Sequence, residues 1–287
     1  MKIYVTSYWT DDFSLYQSIK RLGFGEARWK NLEFTIDRDF DRVIVLNGTN
    51  MHSHPFRPNK AIYFRLEPPD SSNYLKDASE ITIPGFIHWP FWEKIPKDQM
   101  LDIQSMNSPQ KTELLSTVTS DLAYMEGHFQ RLMLIHLLDQ KFVKNFDVWG
   151  RNTGSNFFPN IKSYKGELVN KYDGLLKYAY HLSVENSFIP DYFTEKITDA
   201  ILSECLCFYA GCTNIEEYID ERAFVKIDIL DKEDCAEVII TTIRNELWQK
   251  NLPFIKQQKR RFMNELNPLN LFWMVANEYD YEIKLKL

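Results

Sequence analysis

YAYHLSVENSFIPDYFTEKITDAILSECLCFYAG, residues 178–211, decides the fold. YHLSV reads as a buried strand, and TEKITDAILSE reads as a helix because Ile197, Ala200 and Ile201 recur at three-to-four spacing. CLCFYAG reads as a second buried strand, so the stretch is a strand, loop, helix and strand of the kind that builds parallel sheets. Thr194 is a natural N-cap, and Glu195 and Lys196 fall in the first helical turn.

Outward from this stretch the same alternation recurs on both sides. KIYVTSY, DRVIVLNG and KAIYFRLEPP are strand-like runs around a helical DDFSLYQSIKRLG. After it, ELLSTVTSD, FDVWGRN and AFVKIDI read as strands, and GHFQRLMLIHLLDQ and DCAEVIITTIRNE as helices. Pro84, Pro90 and Pro96 interrupt the pattern, placing a linker near residues 92–110. The expected organisation is two doubly wound α/β domains, 1–105 and 106–262, with a helical segment at 263–287 that packs back on the first domain.

Composition narrows the function. The chain has 287 residues, 34 basic against 40 acidic, with no long run of either sign, which disfavours a nucleic-acid partner. Cys205, Cys207, Cys212 and Cys235 lie in apolar segments without paired spacing, so they read as reduced thiols rather than a disulfide scaffold or a zinc site. No apolar run approaches the roughly 18 residues that a membrane span needs, and the amino terminus reads as a strand, so a soluble, cytoplasmic protein is expected. Aromatic residues make up 15% of the chain, which suits a sugar-stacking surface and a bulky core equally well.

In open α/β sheets ligands collect beyond the carboxyl ends of the strands. Residues 185–194 occupy such a place, where free amides and the helix dipole favour an anion and Lys196 adds positive charge. Capping and solvation alone account for the same residues on helix physics. Arg131 lies in a strongly apolar helix with Leu134, Ile135 and Leu138 on its face, and a buried guanidinium needs an anionic partner. That partner is either an acidic side chain or a ligand phosphate.

The run HLSVENSFIPDYFTEKITDAILSECLCFYAGCTNIEEYI resembles the donor-binding signature of the family 10 glycosyltransferases, the α-1,3/1,4-fucosyltransferases, matching at Glu185, Asn186, Ser187, Asp191, Tyr192, Thr194, Glu195, Lys196 and Gly211. With FDVWGRN and the YKG at Tyr164–Gly166, the resemblance covers about residues 110–262. It implies a GT-B fold of two Rossmann-like domains, with the nucleotide sugar held mainly by the second and a glycan acceptor mainly by the first. It also implies L-fucose transfer from GDP-β-L-fucose with inversion and no obligatory cofactor or metal. Carried over by position, Arg131, Glu185, Asn186, Tyr192, Glu195 and Lys196 bind the donor, with Glu195 on the ribose and Lys196 on the phosphates. The general base is expected at Glu67, delivered by an apolar strand and followed at once by Pro68 and Pro69.

Two departures bear on the sugar rather than the nucleotide. Cys207 stands where the family has a proline, and Ala210 precedes the glycine. Alternatives are the same fold using another nucleotide sugar, such as a UDP-pentose, or a non-catalytic relative that binds the nucleotide sugar or a glycan. The DRDFD run, with its overlapping D-x-D strings, and the His52/His54 pair read as chance and as plain loop residues. Trp89, Phe91 and Trp92 suit either acceptor stacking or packing at a domain edge. The absence of an anchor and stem fits the compact bacterial or viral type.

Overall fold

The computed structural model describes residues 1–69, 80–82, 107–142 and 145–278; Trp89, Phe91 and Trp92, most of the expected linker, and residues 279–287 lie outside these. The chain divides into two compact units, Met1–Glu93 with Asn264–Lys286, and Lys94–Met263.

In unit 1, strands β1 (Lys2–Ser7), β2 (Arg28–Trp29), β3 (Leu32–Thr35), β4 (Arg42–Leu46), β5 (Ala61–Arg65) and β6 (Glu80–Thr82) form one sheet in the order β2-β3-β1-β4-β5-β6. All neighbours are parallel except the β2–β3 hairpin. Ile3, Tyr4, Val5 and Val43 to Leu46 are buried, as continuous apolar runs between parallel neighbours must be. Helix α1 (Asp12–Leu22) is started by Asp11, which accepts from Ser14 N at 2.9 Å, and buries Leu15, Ser18, Ile19 and Leu22 along one stripe.

Unit 2 holds β7 (Glu113–Ser120), β8 (Phe146–Arg151), β9 (Tyr164–Gly166), β10 (Tyr178–Val184), β11 (Leu206–Ala210) and β12 (Phe224–Lys226). They form an all-parallel sheet in the order β12-β11-β10-β7-β8-β9. Numbered within the unit this is 6-5-4-1-2-3, the Rossmann order, with its switch point between β7 and β10. Helices α2 (Glu126–Lys141), α3 (Glu195–Leu202), α4 (Lys232–Arg244) and α5 (Leu247–Asn264) complete it. No helix among the described residues is long and apolar enough to cross a membrane.

The C-terminal helix α6 (Pro268–Ala276) belongs to unit 1, where Phe272 meets Phe34 and Phe64 edge to face at 6.2 and 5.4 Å. All four cysteines are buried and unpaired. His54 packs on Tyr4, its Nε2 at 2.8 Å from Ile36 O, and Asp39 pairs with Lys2 on the surface. Two elements differ from the sequence reading. Helix α2 is not buried all round, since Phe129 and Met133 are exposed. Glu67 lies two residues past the end of β5 rather than on the strand.

Candidate functional site

Each helix that begins beside the unit 2 switch point brings charged side chains with it. Helix α2 leaves β7 and helix α3 leaves β10, and the first turn of α2 packs on the loop that joins β10 to α3. Gly127 N donates to Asn186 O at 3.2 Å, and a Cβ at Gly127 would stand 2.1 Å from Glu185 O. Only glycine allows α2 to start this close to the β10 loop.

Glu185 is the hub beneath. Its carboxylate is fully buried and accepts from Thr194 N at 2.8 Å, Thr194 Oγ1 at 2.7 Å, Lys196 Nζ at 3.1 Å and Tyr209 Oη at 3.4 Å. Gly211 closes over it, for a Cβ there would lie 2.3 Å from Glu185 Cγ. A buried carboxylate is tolerated when donors fill its acceptor sites, as here. It therefore fixes Thr194 and Lys196 in place, beneath the surface a ligand would touch.

Thr194 caps α3 as its spacing predicts, with Lys196 N at 3.5 Å from Oγ1. Lys196 Nζ also reaches Thr194 Oγ1 at 3.0 Å and remains 22% exposed. Burial works against its ammonium, but Glu185 and Glu195 outweigh this and its pKa is raised. Glu195 sits between Lys171 at 3.7 Å and Lys196 at 3.8 Å. Lys171 is in turn held by Asp199 at 2.5 Å, whose other oxygen accepts from Tyr172 Oη at 2.9 Å.

Arg131 is buried on α2, and its NH1 donates to Val184 O at 3.3 Å and Asn186 Oδ1 at 3.5 Å, neutral acceptors both. Burial lowers its pKa to about 10, against the pull of Glu185 and Glu195, so it stays charged. Its Nε has no partner. One turn earlier on the same face, His128 is buried with an unpartnered Nδ1, and Tyr124 meets its ring edge on at 4.6 Å. Burial, with Arg131 adding to it, lowers the His128 pKa to about 4, so the imidazole is neutral. Buried polar atoms left unpaired are costly, and each calls for a partner such as a water, an ion or a ligand.

Of the residues expected from the sequence, the structure brings Arg131, Glu185, Asn186, Glu195 and Lys196 to one place. Tyr192 lies half-buried in the same loop, between Asp191, at φ 60°, and buried Phe193. Glu67 belongs to unit 1, half-buried, accepting from Tyr8 Oη at 3.3 Å. His128, Lys171 and Asp199 escaped that reading. For His128 a signal existed, its i+3 spacing to Arg131 on a helix start.

Beyond the carboxyl ends of β11 and β12 lies a cavity of about 520 Å³ lined by Phe188, Ala210, Gly211, Ile227, Ile229 and Leu230, among others. It adjoins the hub through Gly211. Cys207 is not part of it: it pairs with His181 and Phe224 inside the sheet.

The family description glycosyltransferase family 10 (fucosyltransferase) C-term matches residues 108–248, all within unit 2. This chain carries the family 10 glycosyltransferase domain. It is a glycosyltransferase, and its fold is GT-B. A crystal structure of an alpha1,3-fucosyltransferase with GDP is 15% identical, covering 98% of this chain and 91% of that one at a TM-score of 0.53. The same kind of enzyme with GDP-fucose, 15% identical over 98% and 91%, gives 0.51. WaaG, a glycosyltransferase involved in lipopolysaccharide biosynthesis, is 10% identical over 96% and 99% and gives 0.54. At these identities the likenesses speak for the fold. No curated protein sequence matches the chain.

Proposed function

We propose that this glycosyltransferase moves L-fucose from GDP-β-L-fucose to a hydroxyl of a glycan, with inversion at the sugar carbon. The observation that carries the donor reading is the packing of the α2 start on the β10 loop at the unit 2 switch point, which brings Arg131 beside Asn186. There Arg131 and Lys196 supply fixed positive charge, and Arg131 Nε and His128 Nδ1 await a partner. A diphosphate accepts from the Arg131 Nε–H, and the amides of the α3 start add to the same field. Glu195, 29% exposed and set between two lysines, is placed to accept from the ribose diol. Asn186 and Tyr192 complete the donor contacts, and Glu185 serves them from below.

Two features support fucose over other sugars. The family match is to fucosyltransferases, and the adjoining cavity has an apolar wall of Phe188, Ile227 and Ile229. Such a wall suits the methyl group that fucose carries where other hexoses carry a hydroxymethyl, while Thr213, Lys226 and Asp228 on the same cavity face the sugar hydroxyls.

In the reaction the acceptor oxygen attacks the anomeric carbon as the bond to the diphosphate breaks. Glu67 takes the acceptor proton, and the leaving diphosphate carries away the electron pair, its charge matched by Arg131 and Lys196. Tyr8, donating to one Glu67 oxygen, leaves the other for the acceptor. A thermal-shift panel of GDP, UDP and their sugars, followed by NMR of the product formed with the best donor, tests the reading. Stabilisation by GDP-fucose and an α-linked fucoside are expected; a UDP sugar as the best donor, or a β-linked product, would contradict it.

A further inference from the structure

Unit 1 leaves two large aromatic side chains partly exposed at the carboxyl end of its first strand. Tyr8 is 36% exposed and Trp9 41%, and their rings meet edge to face with centroids 5.2 Å apart. Exposed single aromatics are ordinary, so the pair alone means little. What sets it apart is the bracing behind it. The Asn50 amide donates to Ser7 O at 3.2 Å and Thr10 O at 3.1 Å, the two carbonyls that flank the pair. It also donates to Asp12 Oδ1 at 2.8 Å, which Thr6 Oγ1 reaches at the same distance, and Thr6 Oγ1 lies 2.6 Å from Ser53 Oγ. A polar network drawn from β1, α1 and the loop after β4 thus fixes a turn whose outward side is aromatic. Rigid rings presented to solvent are what a stacking subsite needs, because little freedom remains to be lost on binding.

The same turn is tied to Glu67 through the Tyr8 hydroxyl. We infer that Tyr8 and Trp9 form a saccharide platform, on which the apolar C–H face of a pyranose lies against the Trp9 indole with a hydroxyl directed at Glu67. The inference deepens the proposed function and rests on unit 1 handling the acceptor. A pyranose fits because it is neutral, flat on one face and rimmed with hydroxyl donors. Exposed Asp11 and half-buried Glu67 and Asp12 make the surround acidic, which repels an anionic lipid surface and accepts from hydroxyls. Trp9 is on this reading a specificity determinant, and Tyr8 a positioning residue for Glu67.

The test needs no turnover. Saturation-transfer NMR of the full chain is recorded with methyl β-D-galactopyranoside, methyl N-acetyl-β-D-glucosaminide and methyl α-D-mannopyranoside. The wild type should transfer saturation to the ring C–H protons of at least one of them. Trp9→Ala should weaken that binding roughly three- to tenfold while Trp9→Phe, which keeps a ring, retains most of it. GDP affinity, measured on the same samples, should stay within about twofold in both variants. Transfer to none of the three glycosides, or transfer unchanged in Trp9→Ala, would overturn the platform. Failure of the donor reading shows separately, as absent GDP binding with glycoside binding intact.

Discussion

The carboxyl edges of the two sheets solve the same geometric problem with opposite chemistry. In unit 2 the edge is a charge lattice built on two fully buried carboxylates: Glu185, Lys196, Glu195, Lys171 and Asp199 hold one another within 4 Å, and Arg131 lies buried beside them. In unit 1 the edge is an amide and hydroxyl network around Asn50, with Tyr8 and Trp9 partly exposed beside it. Fixed buried charges suit a ligand that is itself charged and always the same, whereas exposed rings suit a neutral ligand recognised by shape. On the proposed function the contrast separates an edge for the diphosphate from an edge for a sugar.

If that contrast is right, the largest single effect comes from removing the hub of the charged edge. Glu185→Ala leaves Lys196 and Thr194 without their acceptor in a buried place, at a cost of about 3–5 kcal/mol. Differential scanning calorimetry should show the transition of unit 2 falling sharply, and GDP binding should vanish. A variant that melts like the wild type would mean the charged edge is not a structural unit.

Glu67→Gln should do the reverse. Transfer should fall by about 10²- to 10⁴-fold with stability and GDP affinity unchanged, as read by initial rates and calorimetry. Unaltered turnover would remove Glu67 from the chemistry. Gly127→Ala comes next, because its Cβ collides with the Glu185 carbonyl and pushes α2 away from the β10 loop. GDP affinity should drop by roughly tenfold or more, the loss of one charge-assisted contact, while glycoside binding at Trp9 holds.

The smallest effect is a pH slope confined to unit 2. The His128 pKa is lowered to about 4, so the native imidazole is neutral while the unfolded one takes up a proton below about 6.5. Its contribution to stability is full above pH 6.5 and is lost as the pH falls toward 4. His181, lowered by burial to about 3, adds in the same direction. Urea titrations between pH 4 and 7 should show a shallower decline in His128→Gln than in the wild type, and an unchanged slope would place His128 in water.

How much of this was legible in the sequence follows from how local each signal is. The buried strands were, because runs such as Val43 to Leu46 are apolar on both faces only between parallel neighbours. Thr194 was, since a cap is set by the residues next to it. The β2–β3 hairpin was missed because two- and four-residue strands carry too little pattern. Helix α5 was missed for two reasons. Pro253 lies inside it, and its buried stripe of Ile255, Gln258, Lys259 and Phe262 is masked by polar side chains. Lys259 pairs with buried Glu204 at 2.8 Å, 55 residues away in sequence, and only the fold can bring such partners together. The same holds at the site, where Lys171 and Asp199 are 28 residues apart.

The central claim is that the charged edge of unit 2 is built for a GDP-linked sugar. Isothermal titration of the full chain with GDP-β-L-fucose, repeated with UDP-glucose and UDP-xylose, tests it most directly. GDP-β-L-fucose should bind, at least tenfold more weakly in Arg131→Ala, and neither UDP sugar should bind measurably. Tight binding of a UDP sugar with none of GDP-fucose would contradict it.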